Sequence, residues 1–245
     1  MKYRVFGIAL AAAAAFSSAN ADDLSREEVK ALALEAILEN PEIIMEAVRL
    51  LDEKRADASA AQLSSTLEGQ RDLLENDPNA PVLGNPDGDV TIVEFFDYNC
   101  PYCRQVKPEI QLILENDPGV RLVYREWPIL GEGSVFAAKA ALASREQGKY
   151  EEFHWAMMGL RGRAEEASVL RIAEDIGLDI GKLRADMDAP DVDAHIAVSM
   201  RLTEALGFSG TPSFVIGNAL VPGFVKANVL GTAVAQARAE AELDE

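Results

Sequence analysis

The sequence predicts an α/β protein, and three observations carry this prediction. Residues 90–96 (Val-Thr-Ile-Val-Glu-Phe-Phe) form a β-branched and aromatic run that indicates a buried strand, and apolar residues at helical spacing follow soon after it. Helical patterns then fill residues 134–206. Two short apolar segments, 213–217 and 219–224, indicate a hairpin that turns at Gly217-Asn218. Strands that alternate with helices in this way predict a sheet covered by helices.

The first 21 residues predict a secretory signal peptide. Lys2 and Arg4 form a basic start, an apolar run covers 5–16, and Ala19-Asn20-Ala21 is a typical cleavage site. The run is too short for a transmembrane helix, which needs roughly 20 apolar residues. We therefore expect cleavage after Ala21 and export to the periplasm.

Residues 22–79 predict a helical arm. Ser25-Arg26-Glu27-Glu28 is a capping box that opens a first helix, and Asn40-Pro41-Glu42 ends it and begins another. After Pro41, the only glycine or proline before Asn76 is Gly69, so this second helix extends over up to 36 residues, roughly 54 Å.

Apolar residues of this arm follow a broken 4-3 spacing. They are Ile44, Val48, Leu51, Leu63, Leu67 and Leu74. Apolar stripes with charged flanks are how helices associate, so we expect an oligomerisation arm that pairs with copies of itself. A solvated helix or a charged linker is the alternative.

The only two cysteines, Cys100 and Cys103, lie three residues apart. A disulfide that closes so short a loop removes little chain entropy, so a structural role explains the pair poorly. The strand over 90–96 and a helical pattern over 104–114 place Cys100 at a helix N-terminus, with Pro101 in the first turn. The pattern favours a redox or metal role.

A helix N-terminus changes the chemistry of a thiol. Its free N–H groups and dipole stabilise a thiolate, which lowers the cysteine pKa from about 8.5 towards the range of about 3.5 to 7.5. Cys100 is therefore the predicted nucleophile. Cys103, one turn further into the helix, is the predicted resolving cysteine that attacks a mixed disulfide on Cys100.

The remaining elements follow in order. A second strand covers 120–127 and stops at Pro128, and a closing helix covers 226–242. Glycines and a proline separate the helices between them. These helices are predicted over 134–147, 149–160, 165–176, 179–187 and 191–206.

Charge excludes some classes of partner. The 245 residues contain 23 Lys and Arg against 41 Asp and Glu, a formal net charge of −18. Residues 1–21 hold two basic and no acidic residues, so the exported chain carries 21 basic and 41 acidic residues, a net charge of −20. Binding to nucleic acid or to anionic membranes depends on clustered basic residues, so neither is an expected partner.

Two separated segments carry a resemblance to a known family. Cys100-Pro101-Tyr102-Cys103, behind a strand that ends Glu94-Phe95-Phe96, resembles the redox site of the thioredoxin superfamily, specifically of DsbA-like exported thiol:disulfide oxidoreductases. Gly210-Thr211-Pro212-Ser213 resembles the family's cis-proline loop. The resemblance covers residues 80–242. It implies a thioredoxin-fold domain over 80–130 and 208–245, and an inserted helical domain over 131–207.

The resemblance also implies roles for single residues. Thr211 and Pro212 would line the substrate groove together with Pro101 and Tyr102, and the backbone of residue 211 would pair with an extended client peptide. Glu94 matches the position of a buried acid that relays the proton of the resolving cysteine. Burial of an unpaired carboxylate is costly and raises its pKa, which suits a general acid/base. A solvated glutamate at a sheet edge is the alternative.

One departure from the family pattern concerns the redox potential. The DsbA prototype has a histidine between its cysteines where this chain has Tyr102, so we expect helix N–H groups alone to stabilise the thiolate. A less oxidising, isomerase-like potential follows. The histidines of this chain, His154 and His195, lie in helical patterns and are expected to be structural. With no cluster for a four-ligand zinc site, no metal and no cofactor are expected.

These observations predict an exported thiol:disulfide oxidoreductase that acts on cysteine-containing client proteins and is reset by a redox partner protein. The layout resembles ScsC-type proteins, in which an N-terminal helical segment trimerises a DsbA-like domain. Linked copies whose active sites face a shared space favour an isomerase or reductase, and a monomeric DsbA-like dithiol oxidase is the alternative. A periplasmic Cu(I)-binding protein that uses both thiolates is the alternative of another class. A glutaredoxin is disfavoured by the signal peptide and the inserted helices.

Overall fold

The computed structural model describes residues 25–243, so the predicted signal peptide lies outside the described residues. Within this range the chain forms five strands, nine α-helices and one short 3-10 helix, Ser144–Gln147. The strands are β1 (Val82–Gly84), β2 (Val90–Phe96), β3 (Val120–Glu126), β4 (Ser213–Ile216) and β5 (Ala219–Pro222). The helices are α1 (Arg26–Glu39), α2 (Glu42–Glu75), α3 (Pro101–Asn116), α4 (Glu132–Ala143), α5 (Tyr150–Met158), α6 (Glu166–Asp175), α7 (Ile180–Asp186), α8 (Pro190–Ala205) and α9 (Ala227–Leu243).

The five strands form one mixed sheet in the order β1-β3-β2-β4-β5. β2 and β3 are parallel, with Val90 opposite Val120, and β4 is antiparallel to β2, with Ser213 opposite Phe95. β2 is therefore the central strand. Its nearly continuous apolar sequence fits a position that is buried on both faces of the sheet.

Helices cover both faces of this sheet, and each face has its own apolar core. Ile92 and Phe96 of β2 pack with α3, α9 and α4 to α7, whereas Val93 and Phe95 pack on the opposite face with α8 and the end of α2. Because successive side chains of β2 point to opposite faces of the sheet, this strand contributes to both cores. The predicted α/β class, with a thioredoxin fold and an inserted block of helices from α4 to α8, is confirmed.

One element differs from its predicted role. Leu67 and Leu74 of α2 are 1% and 0% exposed in the second core, and buried Arg125 pairs at 2.7 Å with Asp77, just after α2. Assigning these leucines to an oligomerisation stripe was wrong, because helical spacing alone does not show which surface an apolar face covers. The chain divides into two compact units between Asp57 and Ala58. The C-terminal part of the arm predicted over 22–79 therefore belongs to the larger unit.

The smaller unit contains α1 and the first part of α2. Ser25 and Glu28 form the predicted capping box at the start of α1, and every residue over 25–57 is exposed. The exposed apolar side chains on this unit are Val29, Leu32, Leu34, Ile37, Leu38, Ile43, Ile44, Met45, Val48, Leu50 and Leu51. The described part of this unit therefore has no apolar core of its own. Across residues 25–243, no helix combines the length and apolar character that crossing a membrane requires.

Candidate active site

Both cysteines lie where the sequence predicts them, at the start of α3. Cys100 is the N-cap residue, with φ −76° and ψ 118°, and Pro101 occupies the first turn. The backbone N–H of Cys100 donates to the Asp97 carbonyl at 3.0 Å, which fixes the turn between β2 and α3. Cys100 is 4% exposed, Cys103 is 1% exposed, and no disulfide joins them.

The pKa values of the two cysteines are shifted in opposite directions. The pKa of Cys100 falls from 9.0 to about 6, first because the Cys103 thiol hydrogen bonds to it, and then through Thr211 and the backbone N–H groups of Cys103 and Tyr102, against the effect of burial. Burial, the same hydrogen bond and the charge of Glu94 raise the pKa of Cys103 well above its usual value. The expectation that helix N–H groups alone stabilise the thiolate was wrong, because the hydrogen bond from the Cys103 thiol contributes more. At neutral pH the site holds one thiolate and one thiol.

The proline loop lies beside the cysteines. The Thr211-Pro212 peptide bond is cis, and the Cys100 sulfur lies 3.2 Å from the Thr211 carbonyl oxygen. This juxtaposition follows from the sheet order, because β4 begins directly after Pro212 and pairs with β2. Pro212 is buried, whereas the Tyr102 side chain between the cysteines is exposed. The structure therefore brings the predicted groove residues to one place.

Glu94 is buried beneath the site. It is 1% exposed and lies in β2 between Tyr124 of β3 and Phe214 of β4, so the alternative of a solvated edge glutamate is wrong. Burial, followed by the charge of Cys100, raises the pKa of Glu94 to about 8. A carboxyl group that is mostly protonated at neutral pH, and that is coupled electrostatically to Cys103, is able to exchange a proton there.

The side chain of Asp97 holds the loop that precedes Cys100. Asp97 is buried, and its Oδ1 accepts the Asn99 N–H at 2.7 Å. Its Oδ2 accepts the backbone N–H groups of Ile129 and Leu130 at 2.8 and 2.9 Å. Asp97 thus joins the cysteine loop to the segment that follows β3.

Asn99, next to Cys100, connects this loop to the inserted helices. Its Nδ2 donates to the Ala164 carbonyl at 3.0 Å and to Ser134 Oγ at 3.1 Å, and its Oδ1 accepts the Ala164 N–H at 2.7 Å. Sequence reasoning missed this contact. The partners lie 35 and 65 residues away, so no local pattern could have found them.

Both histidines are buried in helices, as expected of structural residues. The His154 ring lies 4.1 Å from the Tyr124 ring, and its Nδ1 is 3.1 Å from the Tyr98 hydroxyl oxygen. Burial, followed by the charge of Lys107, lowers the pKa of His154 to about 3, so its ring is neutral at neutral pH. His195 Nε2 lies 2.7 Å from Glu126 Oε2.

Residues 25–243 contain no group of three or more His, Cys, Asp or Glu side chains placed to hold a metal ion. The Cu(I) alternative would use Cys100 and Cys103, both of which are free thiols.

The fold and this site match a known family. Residues 91–235, more than half of the chain, match the family model of the DSBA-like thioredoxin domain. The chain belongs to the DsbA-like thioredoxin family. The predicted membership is thereby confirmed on the segment that contains both cysteines and the proline loop.

Solved structures agree with this membership. A thioredoxin-like oxidoreductase from Silicibacter pomeroyi DSS-3 is 67% identical, with a TM-score of 0.68, and the match covers 69% of this chain and 97% of that one. The thiol-disulfide exchange protein alpha-DsbA2 from Wolbachia pipientis is 32% identical, with a TM-score of 0.68, over 73% and 97% of the two chains. Proteus mirabilis ScsC, in a transitional conformation, is 30% identical, with a TM-score of 0.66, over 87% and 95%.

A curated relative is much longer than this chain. The Na(+)/H(+) antiporter NhaA 3 of Salinispora tropica is 32% identical over 201 residues, which are 80% of this chain and 30% of the antiporter. The chain thus spans less than a third of the length of that relative.

Proposed function

We propose that the protein is an exported thiol:disulfide oxidoreductase that exchanges disulfides with client proteins through Cys100-Pro101-Tyr102-Cys103. The observation that carries this proposal is geometric: Cys100 is the N-cap residue of α3, one turn before Cys103, and its sulfur lies 3.2 Å from the Thr211 carbonyl oxygen in the cis-proline loop. The lowered pKa of Cys100, about 6, supports it. Thiol–disulfide exchange needs a thiolate nucleophile and a second thiol held in reserve. The Wolbachia relative is named for the same exchange.

The reaction begins at the Cys100 thiolate. Its sulfur attacks a client disulfide, a bond forms between Cys100 and one client sulfur, and the other client sulfur leaves as a thiolate. Either that client thiolate attacks another client disulfide and a client thiol later releases Cys100, which is isomerisation, or Cys103 attacks Cys100. The second route closes the Cys100–Cys103 disulfide and releases the client in reduced form.

Glu94 accepts and returns the proton of Cys103 in the second route, in which Cys103 attacks Cys100. Cys103 is a thiol at neutral pH and must lose its proton to become a nucleophile. Glu94 accepts that proton when its carboxyl group is ionised and returns it when the pair is reduced again. Its raised pKa of about 8 keeps both of its protonation states accessible near neutral pH.

Client binding uses the loop beside Cys100. The backbone of Thr211 precedes a strand of the sheet, and an extended client segment would add to the sheet at this point. The exposed ring of Tyr102, between the two cysteines, would contact the same segment. Both contacts place a client disulfide against the nucleophile.

Isomerase or reductase action fits the site better than one-step oxidation. The pKa of about 6 for Cys100 lies between about 7 in thioredoxin and about 3.5 in the strong oxidant DsbA. The exposed apolar side chains over 25–57 favour association with further copies of this chain. Linked active sites would hold a misfolded client through repeated exchange. The signal peptide pattern over 1–21 supports action in the periplasm.

The test is recovery of activity from scrambled ribonuclease. The reduced protein should restore ribonuclease activity, Cys100→Ala should lose this ability, and Cys103→Ala should retain part of it, because isomerisation requires only the nucleophile. Rapid oxidation of reduced peptides without any recovery of scrambled ribonuclease would instead identify a dithiol oxidase.

A further inference from the structure

The carboxamide of Asn99 uses both of its N–H donors and its oxygen in contacts with the inserted helices. Nδ2 donates to the Ala164 carbonyl, in the segment between α5 and α6, and to Ser134 Oγ, in the first turn of α4. Oδ1 accepts the backbone N–H of Ala164. Turning the amide over would place Nδ2 against the Ala164 N–H and Oδ1 against the Ala164 carbonyl. The side chain is therefore fixed in one orientation.

The partners of Asn99 are buried and closely packed. Ser134 is 1% exposed and Ala164 is 0% exposed. Gly133, next to Ser134, lies so near the Ala164 carbonyl oxygen that an added Cβ would collide with it. Closely packed groups of this kind move little relative to one another. Asn99 is thus hydrogen-bonded to a rigid junction between the start of α4 and the segment before α6.

The backbone of this loop is held by Asp97 as well. Asp97 Oδ1 accepts the Asn99 N–H at 2.7 Å, and the Asp97 carbonyl accepts the Cys100 N–H at 3.0 Å. Asp97 Oδ2 in turn accepts the N–H groups of Ile129 and Leu130, after β3. The residues before Cys100 are therefore tied to the end of β3 through Asp97 and to the inserted helices through Asn99.

Arg104 adds a second connection to the insertion, but at a greater distance along the chain from Cys100. Its Nε donates to the Tyr98 carbonyl at 2.9 Å, and its Nη1 donates to the Gly162 carbonyl at 2.6 Å. Arg104 thus acts on Tyr98, whereas Asn99 is covalently bonded to Cys100. Asn99 is therefore the more direct connection between the insertion and Cys100.

We propose that Asn99 is a positioning residue for Cys100, whose carboxamide fixes the loop to the inserted helices and so holds the Cys100 sulfur beside the Thr211 carbonyl before a client binds. This inference rests on the proposed reaction of Cys100 with client disulfides and deepens it. The sulfur lies 3.2 Å from the Thr211 carbonyl oxygen, and the Thr211 backbone is where an extended client would pair. A misplacement of roughly 1 Å can slow an aligned reaction by about 10²-fold.

The test is a ratio of two rate constants of Cys100, measured at pH 7 in the full chain. The first is for attack on an extended peptide whose cysteine is joined to thionitrobenzoate by a disulfide. A bond forms between Cys100 and the peptide sulfur, and thionitrobenzoate leaves as a coloured thiolate. The second is for alkylation by iodoacetamide, which needs no alignment with Thr211. Both reactions use the Cys100 thiolate, so a change in its population cancels in the ratio.

The variants are Asn99→Ala, Ser134→Ala and Asn85→Ala. Asn85 is the matched control, because its Nδ2 donates to the Pro118 carbonyl at 2.9 Å and its Oδ1 accepts the Asp87 N–H at 3.0 Å, but it precedes β2 and the cysteines follow that strand. We expect Asn99→Ala to lower the ratio of peptide attack to alkylation about tenfold. Ser134→Ala removes one of the hydrogen bonds of Asn99 and should lower the ratio less. Asn85→Ala should leave it unchanged.

Hydrogen exchange of the Cys100 amide is a second measurement, and it requires no client. This N–H donates to the Asp97 carbonyl, so it should exchange faster when the loop is released in Asn99→Ala and at the wild-type rate in Asn85→Ala.

Two results would overturn the inference. One is an unchanged ratio of rate constants in Asn99→Ala. The other is an equal fall in Asn85→Ala, since a loss of stability common to both variants would then explain it. If Asn99→Ala does not fold, an unchanged ratio in Ser134→Ala has the same force. A wild type that does not react with the peptide disulfide would instead refute the proposed function, and exchange of the Cys100 amide would still decide whether Asn99 holds the loop.

Discussion

The buried carboxyl group of Glu94 lowers the stability of the folded protein near neutral pH. Its carboxyl group is buried in the central strand, where its pKa is about 8, compared with 4.5 when exposed. Below pH 4.5 the folded and unfolded states are both protonated, and stability is undiminished. As pH rises towards 8, only the unfolded state ionises, so stability is lost. The residue that we propose for proton exchange thus lowers the stability of the protein near neutral pH.

Replacing Glu94 by Gln should therefore stabilise the reduced protein and slow its resolving step. A difference of one pKa unit corresponds to about 1.4 kcal/mol, so the gain at pH 7 is about 3 kcal/mol and shrinks towards zero at pH 4.5. Urea unfolding at several pH values measures it. Glu115→Gln, at an exposed position on α3, is the control and should show no such pH dependence. A gain that does not grow between pH 4.5 and 7 would contradict this account of Glu94.

The reactivity of Cys100 should rise with pH as its thiol ionises. The rate of alkylation by iodoacetamide should rise with a midpoint near pH 6, whereas Cys103 should stay unreactive at that pH. In Cys103→Ala the midpoint should move up towards 9.0, because the largest contribution to the low pKa of Cys100 is the hydrogen bond from Cys103. Mass spectrometry identifies the alkylated cysteine. An unchanged midpoint in this variant would show that the backbone N–H groups dominate.

At the scale of elements, the parts of the fold with local signals could be predicted from sequence. The start of α3 was predictable because Pro101 and the helical spacing after it are local signals, and the inserted helices because glycines separate them. β1 could not be predicted from the sequence, because it has only three residues and depends on the pairing of Val82 with Val123 of β3. The contact of Asn99 with the segment between α5 and α6 could not be predicted either, because it joins residues 65 positions apart.

α2 offers an internal comparison, because it carries both a buried and an exposed leucine. Leu67 is 1% exposed and Leu51 is 52% exposed. We expect Leu67→Ala to lower the unfolding free energy of the redox domain by about 2–5 kcal/mol, since it leaves a cavity in the core beneath the sheet. Leu51→Ala should change that free energy little. Equal effects of the two substitutions, measured by urea unfolding, would contradict the assignment of the end of α2 to the redox domain.

In the whole protein, we expect the exposed apolar surface over 25–57 to associate with the same surface of other copies, so that several active sites act together. We expect the chain from residue 22 to form an oligomer and the chain from Ala58 to be a monomer, as measured by light scattering. Val48→Glu changes this surface without shortening the chain and should also yield monomers, with the redox activity on small peptides unchanged. Monomers for both lengths of chain would favour a dithiol oxidase over an isomerase.

The sheet order also sets when the redox site comes into existence. Cys100 and Thr211 are in contact although 111 residues separate them, and β4 reaches the sheet only after all the inserted helices. Chains are synthesised from the N-terminus, so both cysteines precede the strand that places Thr211 beside them. Until β4 pairs with β2, one edge of the central strand stays open and the thiols lack their neighbouring loop. The contact between Cys100 and Thr211 therefore forms only after β4 has been made and has paired with β2.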